Sequence, residues 1–378
     1  RKLRLKDLVY GSFVKKETYS GKTAKKGKTR MIWSCPAIII TKFGLYINNL
    51  SKHLSQHFNS DSDIFYAAYT SPNEVGRFGE KLFERPFRYE SDVSSWDGSL
   101  LREIILLEKY YIESKVTGLP KDFDFLLDNW GVNKARNNSS EVVVDMDYGR
   151  RSGDLWTSLF NSLINILITE YVYGSENKKT ILVLGDDNAV SVDNEVDVDK
   201  VVQVYARLGM TCEVIKRNYL EELTFCSGRF WRHNGTYKWG NLPFRTISKF
   251  GFNHGGHNKS IHKMLIHGTA KSMLSSAGHV PILGAFMRAI CDSAQESKIS
   301  AREDPLERNP VKIRGGSDDD YPDADTYQQF SALYGLGISE IMEIEEYLEC
   351  QINIHDFPYL IEGSLFKDGF SDDTGCEW

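Results

Sequence analysis

The feature that most constrains this chain is a four-residue turn, Gly185-Asp186-Asp187-Asn188, set between two short apolar runs at 181–184 and 189–192. Runs of this length around Gly, Asp and Asn specify an antiparallel hairpin. The hairpin puts two carboxylates at one tip, where they repel each other unless a cation stands between them. Such a turn is also ordinary hairpin chemistry. Its meaning therefore depends on what the rest of the chain brings to it.

The chain has 378 residues, more than one ordinary core organises, and suits two or three lobes around a central sheet. A composition of 41% hydrophobic and 26% charged residues is globular, and no run is long and apolar enough to span a bilayer. No signal peptide is visible, and the first residue is Arg1 rather than Met, as expected of an excised piece or a processed product. The net charge of -6 excludes a purely electrostatic nucleic-acid binder, so any positive surface must be local. Cys35, Cys212, Cys226, Cys291, Cys350 and Cys376 are scattered, which fits a reducing compartment and neither a disulfide framework nor a zinc ribbon.

Positive charge is concentrated in the first 30 residues, where Lys15, Lys16, Lys22, Lys25, Lys26, Lys28 and Arg30 face only Glu17 as a nearby acid. Gly21 and Gly27 keep that stretch loop-like. Apolar spacing predicts helices over 43–58, 100–111, 155–173 and 198–210, the last closed by Gly209. Residues 87–92 read as a strand entering a turn at 94–98, and 141–148 as an extended, Val-rich segment. Ser152-Gly153-Asp154 reads as a helix start, with Asp154 placed to favour the first turn. A second hairpin joins 225–231 to 236–239 through Asn234-Gly235. Beyond 250 the pattern is helical, apart from a polar segment at 292–326 expected to be a long loop.

Three carboxylates stand out by position. Asp92 ends a strand, and Asp186 and Asp187 sit at the hairpin tip. Strand pairing would bring them together, and hard oxygen ligands of this kind suit Mg²⁺, which keeps positions open for phosphate. Two such ions can activate an attacking hydroxyl and stabilise the leaving oxygen.

The joint pattern is more specific than any of its parts. Asp92-Val-Ser-Ser-Trp-Asp97, then Ser152-Gly153-Asp154-x-x-Thr157-x-x-x-Asn161, then Gly185-Asp186-Asp187 occur in this order. The sequence here resembles the palm of RNA-dependent RNA polymerases of positive-strand RNA viruses, in their motifs A, B and C. The Ser-Gly-Asp form is most similar to tombusvirus-like and nodavirus-like polymerases. Gly27-Lys28-Thr29-Arg30 resembles motif F, Lys216 falls where motif D often carries a lysine, and Phe225-Cys226-Ser227-Gly228 sits where motif E should be. The resemblance covers about residues 15–250.

The resemblance implies roles. Asp92 and Asp186 would hold two Mg²⁺ ions, with Mn²⁺ as an alternative, and Asp187 would assist. Asp97, Ser152 and Asn161 would read the ribose 2′-hydroxyl, since a site built for that hydroxyl is left unpaired by a deoxyribose. Thr157 belongs with this motif but reads more as a helix-packing residue. Gly153 would let backbone approach the template or nascent base, or is simply a turn glycine. Arg30 would clamp the incoming triphosphate, with Lys28 and Lys26 adding positive field. Lys15, Lys16 and Lys22 would hold RNA phosphates. Lys216 would protonate the leaving pyrophosphate, although Arg217 beside it and a plain surface role compete with that reading. Arg229 and Arg232 would lie near phosphates. Asn188 either favours the turn or does more. His254, His257, His262 and His267 match no zinc spacing and read as polar thumb residues. The acidic run 318–325 reads as a solvated loop.

The fold implied is α+β, a right-hand polymerase with an antiparallel-sheet palm and a mostly helical thumb. Fingers and motif F would occupy 1–84, the palm 85–240 with a fingers insertion near 112–140, and the thumb with a C-terminal extension 241–378. The N-terminal fingers are expected to be truncated. Expected partners are an RNA template and product, nucleoside triphosphates and other viral replication proteins. The expected location is the host cytoplasm, at membrane-associated replication complexes reached through regions outside this chain. A reverse transcriptase is the nearest rival, but that family places an aromatic barrier where Asp97 would meet the 2′-hydroxyl. A catalytically silent polymerase-fold RNA-binding protein is the other.

Overall fold

Five strands carry the Gly-Asp-Asp turn, and their order explains how residues distant in sequence reach it. The computed structural model describes residues 1–15, 30–137, 143–251, 259–302, 313 and 320–355. These form two units. The first takes Arg1–Lys15, the described part of Thr29–Ala67, and Arg85–Arg217; the second takes Ala68–Glu84 and the described residues from 218 onward. Residues 68–84 and 218–240 thus pack in the second unit, whereas the sequence groups them with fingers and palm.

In chain order the first unit runs β1 (Val9–Val14), β2 (Met31–Ser34), α1 (Ala37–His57), β3 (Ile64–Tyr66), β4 (Phe87–Val93), α2 (Arg102–Lys115), β5 (Val132–Asn137) and β6 (Val143–Asp147). It continues with α3 (Thr157–Val172), β7 (Lys179–Leu184), β8 (Asp187–Val192), α4 (Val198–Arg207) and β9 (Cys212–Arg217). The central sheet has the order β3-β7-β8-β4-β9. It is antiparallel except that β3 runs parallel to β7. Strands β7 and β8 are buried along nearly their whole length, as central strands covered on both faces must be. Leu184 faces Asp187 in the register, so the hairpin loop is just Gly185-Asp186. Gly185 has φ +67°, a left-handed conformation at a position where a side chain would be strained.

A second sheet, β2-β1-β5-β6, was foreseen only in β6; β1 and β2, whose short runs sit beside the basic stretch, and β5 were not read as strands. Helix α1 begins at Ala37, six residues before the predicted 43. The three isoleucines at 38–40 look strand-like, but Ile39 packs into the core as part of the helix.

The second unit contains the Pro72–Phe83 helix, β10 (Thr224–Phe225), β11 (Gly228–His233), β12 (Thr236–Asn241), α5 (Lys259–Ala277), α6 (Leu283–Glu296), α7 (Ala324–Tyr334) and α8 (Ile338–Gln351). The predicted hairpin is present, with Asn234-Gly235 at its tip and β10 added at its edge. The Pro72–Phe83 helix packs closely on it. A Cβ at Gly76 would stand 2.0 Å from the Tyr237 carbonyl oxygen, and one at Gly79 would stand 2.5 Å from the Phe230 ring. The polar segment predicted as a loop over 292–326 is helical at both of its ends. Helix α6 runs on to Glu296, and Asp323 caps α7 by accepting from Thr326 N at 2.9 Å. No helix of the described residues is long and apolar enough to cross a membrane.

Candidate active site

Strand pairing brings Asp92 to the hairpin tip. Ser91 on β4 faces Asn188 on β8, so continuing the register by one residue brings Asp92 level with Asp187. Asp92, Asp186 and Asp187 are all exposed there. The Asp186 carboxyl is held above its ordinary range. Enclosure by neighbouring protein is the first cause, and repulsion from Asp97 and Asp92 adds to it, while Arg30 opposes them. Its accessible surface is that of an exposed group, so the charged neighbours are the more telling part. Four residues from three stretches of sequence therefore share one electrostatic environment.

These residues fit divalent cations. The donors are hard carboxylate oxygens, and their mutual repulsion at Asp186 is what a cation would relieve. Among the described residues no three acidic, histidine or cysteine side chains close into a preformed cage. An ion held by one or two of these carboxylates would be completed by substrate phosphate and water.

Beside the carboxylates lies the predicted polar patch. Asp97 stands on the short helical turn Trp96–Ser99 that follows β4. Its Oδ2 accepts from the Ser152 hydroxyl and its Oδ1 from Asn161 Nδ2 at 2.8 Å. Gly153 has φ +99°, and a Cβ there would lie 2.5 Å from the Trp33 carbonyl oxygen. Ser152 O also accepts from Trp33 N at 2.8 Å. The glycine's freedom is thus used against β2 in the folded chain itself. Thr157 opens α3, and its hydroxyl donates to Arg151 O at 3.0 Å, which agrees with a packing role.

Asp154 is not in the first turn of the helix. The helix starts at Thr157, and Asp154 is buried, accepting from the Tyr10 hydroxyl at 2.8 Å and pairing with Arg151 at 3.0 Å. Arg151 in turn lies 4.3 Å over the Tyr10 ring. A partner 144 residues away outcompetes the local dipole because it satisfies the carboxylate where water cannot reach.

Two residues that sequence reasoning passed over, Ser162 and Asn165, hold the Gly185-Asp186 loop. Ser162 Oγ accepts from Gly185 N at 2.7 Å. Asn165 Nδ2 donates to Gly185 O at 3.1 Å and Asp186 O at 2.9 Å. Asn165 Oδ1 accepts from Asn188 Nδ2 at 2.7 Å and from the Thr169 hydroxyl at 3.3 Å. Asn165 therefore uses its whole hydrogen-bonding capacity. Asn188, whose role the sequence left open, is buried and belongs to this clamp. A signal was present: Asn161, Asn165 and Thr169 recur every four residues on a helix rich in apolar residues, a buried polar stripe that must find partners.

Other predicted residues are placed elsewhere. Lys216 faces Tyr89 on β4, three residues along from the Asp92–Glu213 pairing, or ~10 Å at strand spacing. Its ammonium pairs with Glu195 and lies 5.2 Å over the Phe87 ring. The structure does not bring it to the carboxylates. Lys16, Lys22, Lys26, Lys28, His254 and His257 lie outside the described residues. His267 is buried, its Nδ1 2.8 Å from Ile299 O. In the second unit Arg229 is buried, and Arg232 pairs with Glu221, so neither presents an uncommitted charge to phosphate. The acidic run is not wholly solvated. Asp320 pairs with the buried Lys238, and Asp323 accepts from Asn234 N at 2.6 Å as well as capping α7. Among the described residues none of the five cysteines is in a disulfide.

With this geometry in view, the comparisons with known proteins are specific. A family model described as viral RNA-dependent RNA polymerase matches residues 2–239. The chain is similar in fold to the 3Dpol RNA-dependent RNA polymerase of Sicinivirus, with TM-score 0.60 and 16% identity over 80% of this chain and 66% of that one. It is also similar to the RNA-dependent RNA polymerase of a human picorbirnavirus, with TM-score 0.61 and 13% identity over 77% of this chain and 56% of that one. The chain thus spans two thirds or less of the length of these solved proteins. No curated protein matches it.

Proposed function

Because the chain belongs to the viral RNA-dependent RNA polymerase family and has its α+β right-hand fold, we propose that it extends RNA along an RNA template by two-metal nucleotidyl transfer, replicating a viral genome. The observation that carries this reading is the strand register that sets Asp92 level with Asp187 beside the Gly185-Asp186 loop, with Asp97 on the turn just after β4. In the reaction an RNA 3′-hydroxyl loses its proton and attacks the α-phosphate of a nucleoside triphosphate. The bond to the β,γ-pyrophosphate breaks, and pyrophosphate leaves with the electron pair.

Asp92 and Asp186 would hold the divalent ions, with Asp187 assisting. When bound, these ions supply Lewis acidity that sharpens the nucleophile and neutralises the leaving group. Arg30, whose charge already bears on Asp186, would orient the triphosphate. Asp97, Ser152 and Asn161 would hold the ribose. A 2′-hydroxyl can donate to Asp97 and accept from Asn161, and a deoxyribose leaves both groups less well satisfied.

Primer extension by the wild type and by Asp186→Ala tests the reading. Extension by the wild type in Mg²⁺, with loss of at least about a hundredfold in the variant, is expected for removal of a metal-binding carboxylate. Equal extension by both proteins would remove the mechanism.

A further inference from the structure

Asn161 stands between two groups that each have a single hydrogen-bonding sense. Arg150 can only donate, and its Nε donates to Asn161 Oδ1 at 2.8 Å. Ionised Asp97 can only accept, and its Oδ1 takes Asn161 Nδ2 at 2.8 Å. The orientation of the amide therefore follows from the chemistry of its neighbours and does not depend on telling oxygen from nitrogen.

Arg150 is itself fixed. Its Nη1 donates to Glu108 Oε2 at 3.2 Å and its Nη2 to Glu108 Oε1, with side chains 3% and 0% exposed. Trp130 Nε1 donates to Glu108 Oε2 at 3.4 Å, and Arg150 N donates to Asp97 O at 3.0 Å. An ordered path thus runs from Trp130 through Glu108, Arg150 and Asn161 to Asp97 and Ser152. Stability alone is a weak reason to bury such a pair, because apolar replacements of equal volume are often as stable.

We propose that the Glu108–Arg150 pair determines sugar specificity at a distance. It pins the oxygen of the Asn161 amide to the interior, so that the N–H side faces Asp97 and the ribose. Without the Arg150 donor, the amide can turn its oxygen toward Asp97. Two acceptors then face each other, and the paired donor and acceptor that a 2′-hydroxyl needs are lost. Glu108 and Arg150 are positioning residues here, acting through Asn161. The proposal rests on the polymerase reading.

Single-nucleotide incorporation is measured with matched ribo- and 2′-deoxyribonucleoside triphosphates on one primed RNA template. Wild type and Asp186→Ala are compared first; equal activity there removes the polymerase reading and is a separate failure from that of this proposal. Two variants follow, each checked for folding by circular dichroism. Glu108→Gln is nearly isosteric, and Glu108→Leu with Arg150→Met removes both charges together, so the second carries the test if the first unfolds. The ribo-to-deoxy preference is expected to fall about tenfold, the scale of one or two lost hydrogen bonds, with deoxyribonucleotide incorporation within about twofold of wild type. A merely structural pair would lower both rates by one factor. A folded variant with the wild-type preference, or with that common loss, overturns the proposal.

Discussion

The side-chain amide of Asn165 donates to the backbone carbonyl of Asp186 at 2.9 Å. The loop that carries the Asp186 carboxylate is thereby held from behind by α3, the helix that also presents Asn161. The groups proposed to hold metal and to read the sugar are thus both tied to one helix. Because the clamp grips backbone, it sets where the Asp186 carboxylate can reach without touching it.

Replacing Asn165 with Leu removes four hydrogen bonds and takes a partner from Gly185, Asp186, Asn188 and Thr169, of which Asn188 and Thr169 are buried. We expect a loss of about 2–4 kcal/mol, given ~1–3 kcal/mol for each buried group left unsatisfied and partial relaxation. Thermal unfolding measures it. Extension should fall at least about tenfold, and the Mg²⁺ concentration for half-maximal rate should rise, since a looser carboxylate binds the ion less well.

Gly153→Ala strains the loop in two ways. The backbone is at φ +99°, and the new Cβ would lie 2.5 Å from the Trp33 carbonyl oxygen. A cost of about 1–3 kcal/mol is expected from the conformation alone, read as a lower melting temperature. Shifting the loop would also move Ser152 from Asp97, so extension should decline with stability. A melting temperature equal to wild type would show that the loop relaxes freely.

The second unit should weaken in mild acid. His279 is fully buried, and burial first, then repulsion from Lys238 and His233, holds its imidazole well below the ordinary 6.5. Burial also lowers His233, against the attraction of Asp320 and Asp323. A folded pKa below the unfolded one means that stability is fully present above pH 6.5 and lost as pH falls toward the folded value. The slope for one such group is at most about 1.4 kcal/mol per pH unit. Melting temperatures measured from about pH 7.5 to 5.5 should therefore drop, and His279→Leu should flatten the drop.

Lys216→Met separates a catalytic lysine from a surface one. A general acid contributes roughly 10²–10⁴-fold to rate. Lys216 is engaged with Glu195 and set along β9 from the carboxylates, so we expect extension to fall less than about threefold, with the pH–rate profile unchanged. A hundredfold loss with a shifted alkaline limb would restore it to the reaction.

Much of the site was legible because its residues sit at places where local rules are strong. Gly185-Asp186 marks a turn by itself, Asp92 follows a run of strand residues, and Asn161 lies on a helix with an obvious period. Asp154 misled because a helix-start pattern is a local preference, and a buried tyrosine and arginine offered it more. Glu108 and Arg150 left no mark. Nothing in their own neighbourhoods says that they meet across 42 positions.

The sequence by itself determined which chemistry was possible: carboxylates at a hairpin tip and a strand end, and a Ser-Gly-Asp loop opening onto an apolar helix. Local backbone preferences and side-chain periodicity act over a few residues and can be read there. Tertiary structure alone decided which atoms face which. The polarity of the Asn161 amide, the grip of Asn165 on the loop, and the distance of Lys216 from the carboxylates depend on pairings between remote segments. Those pairings form because a buried donor or acceptor must find a partner wherever the fold supplies one.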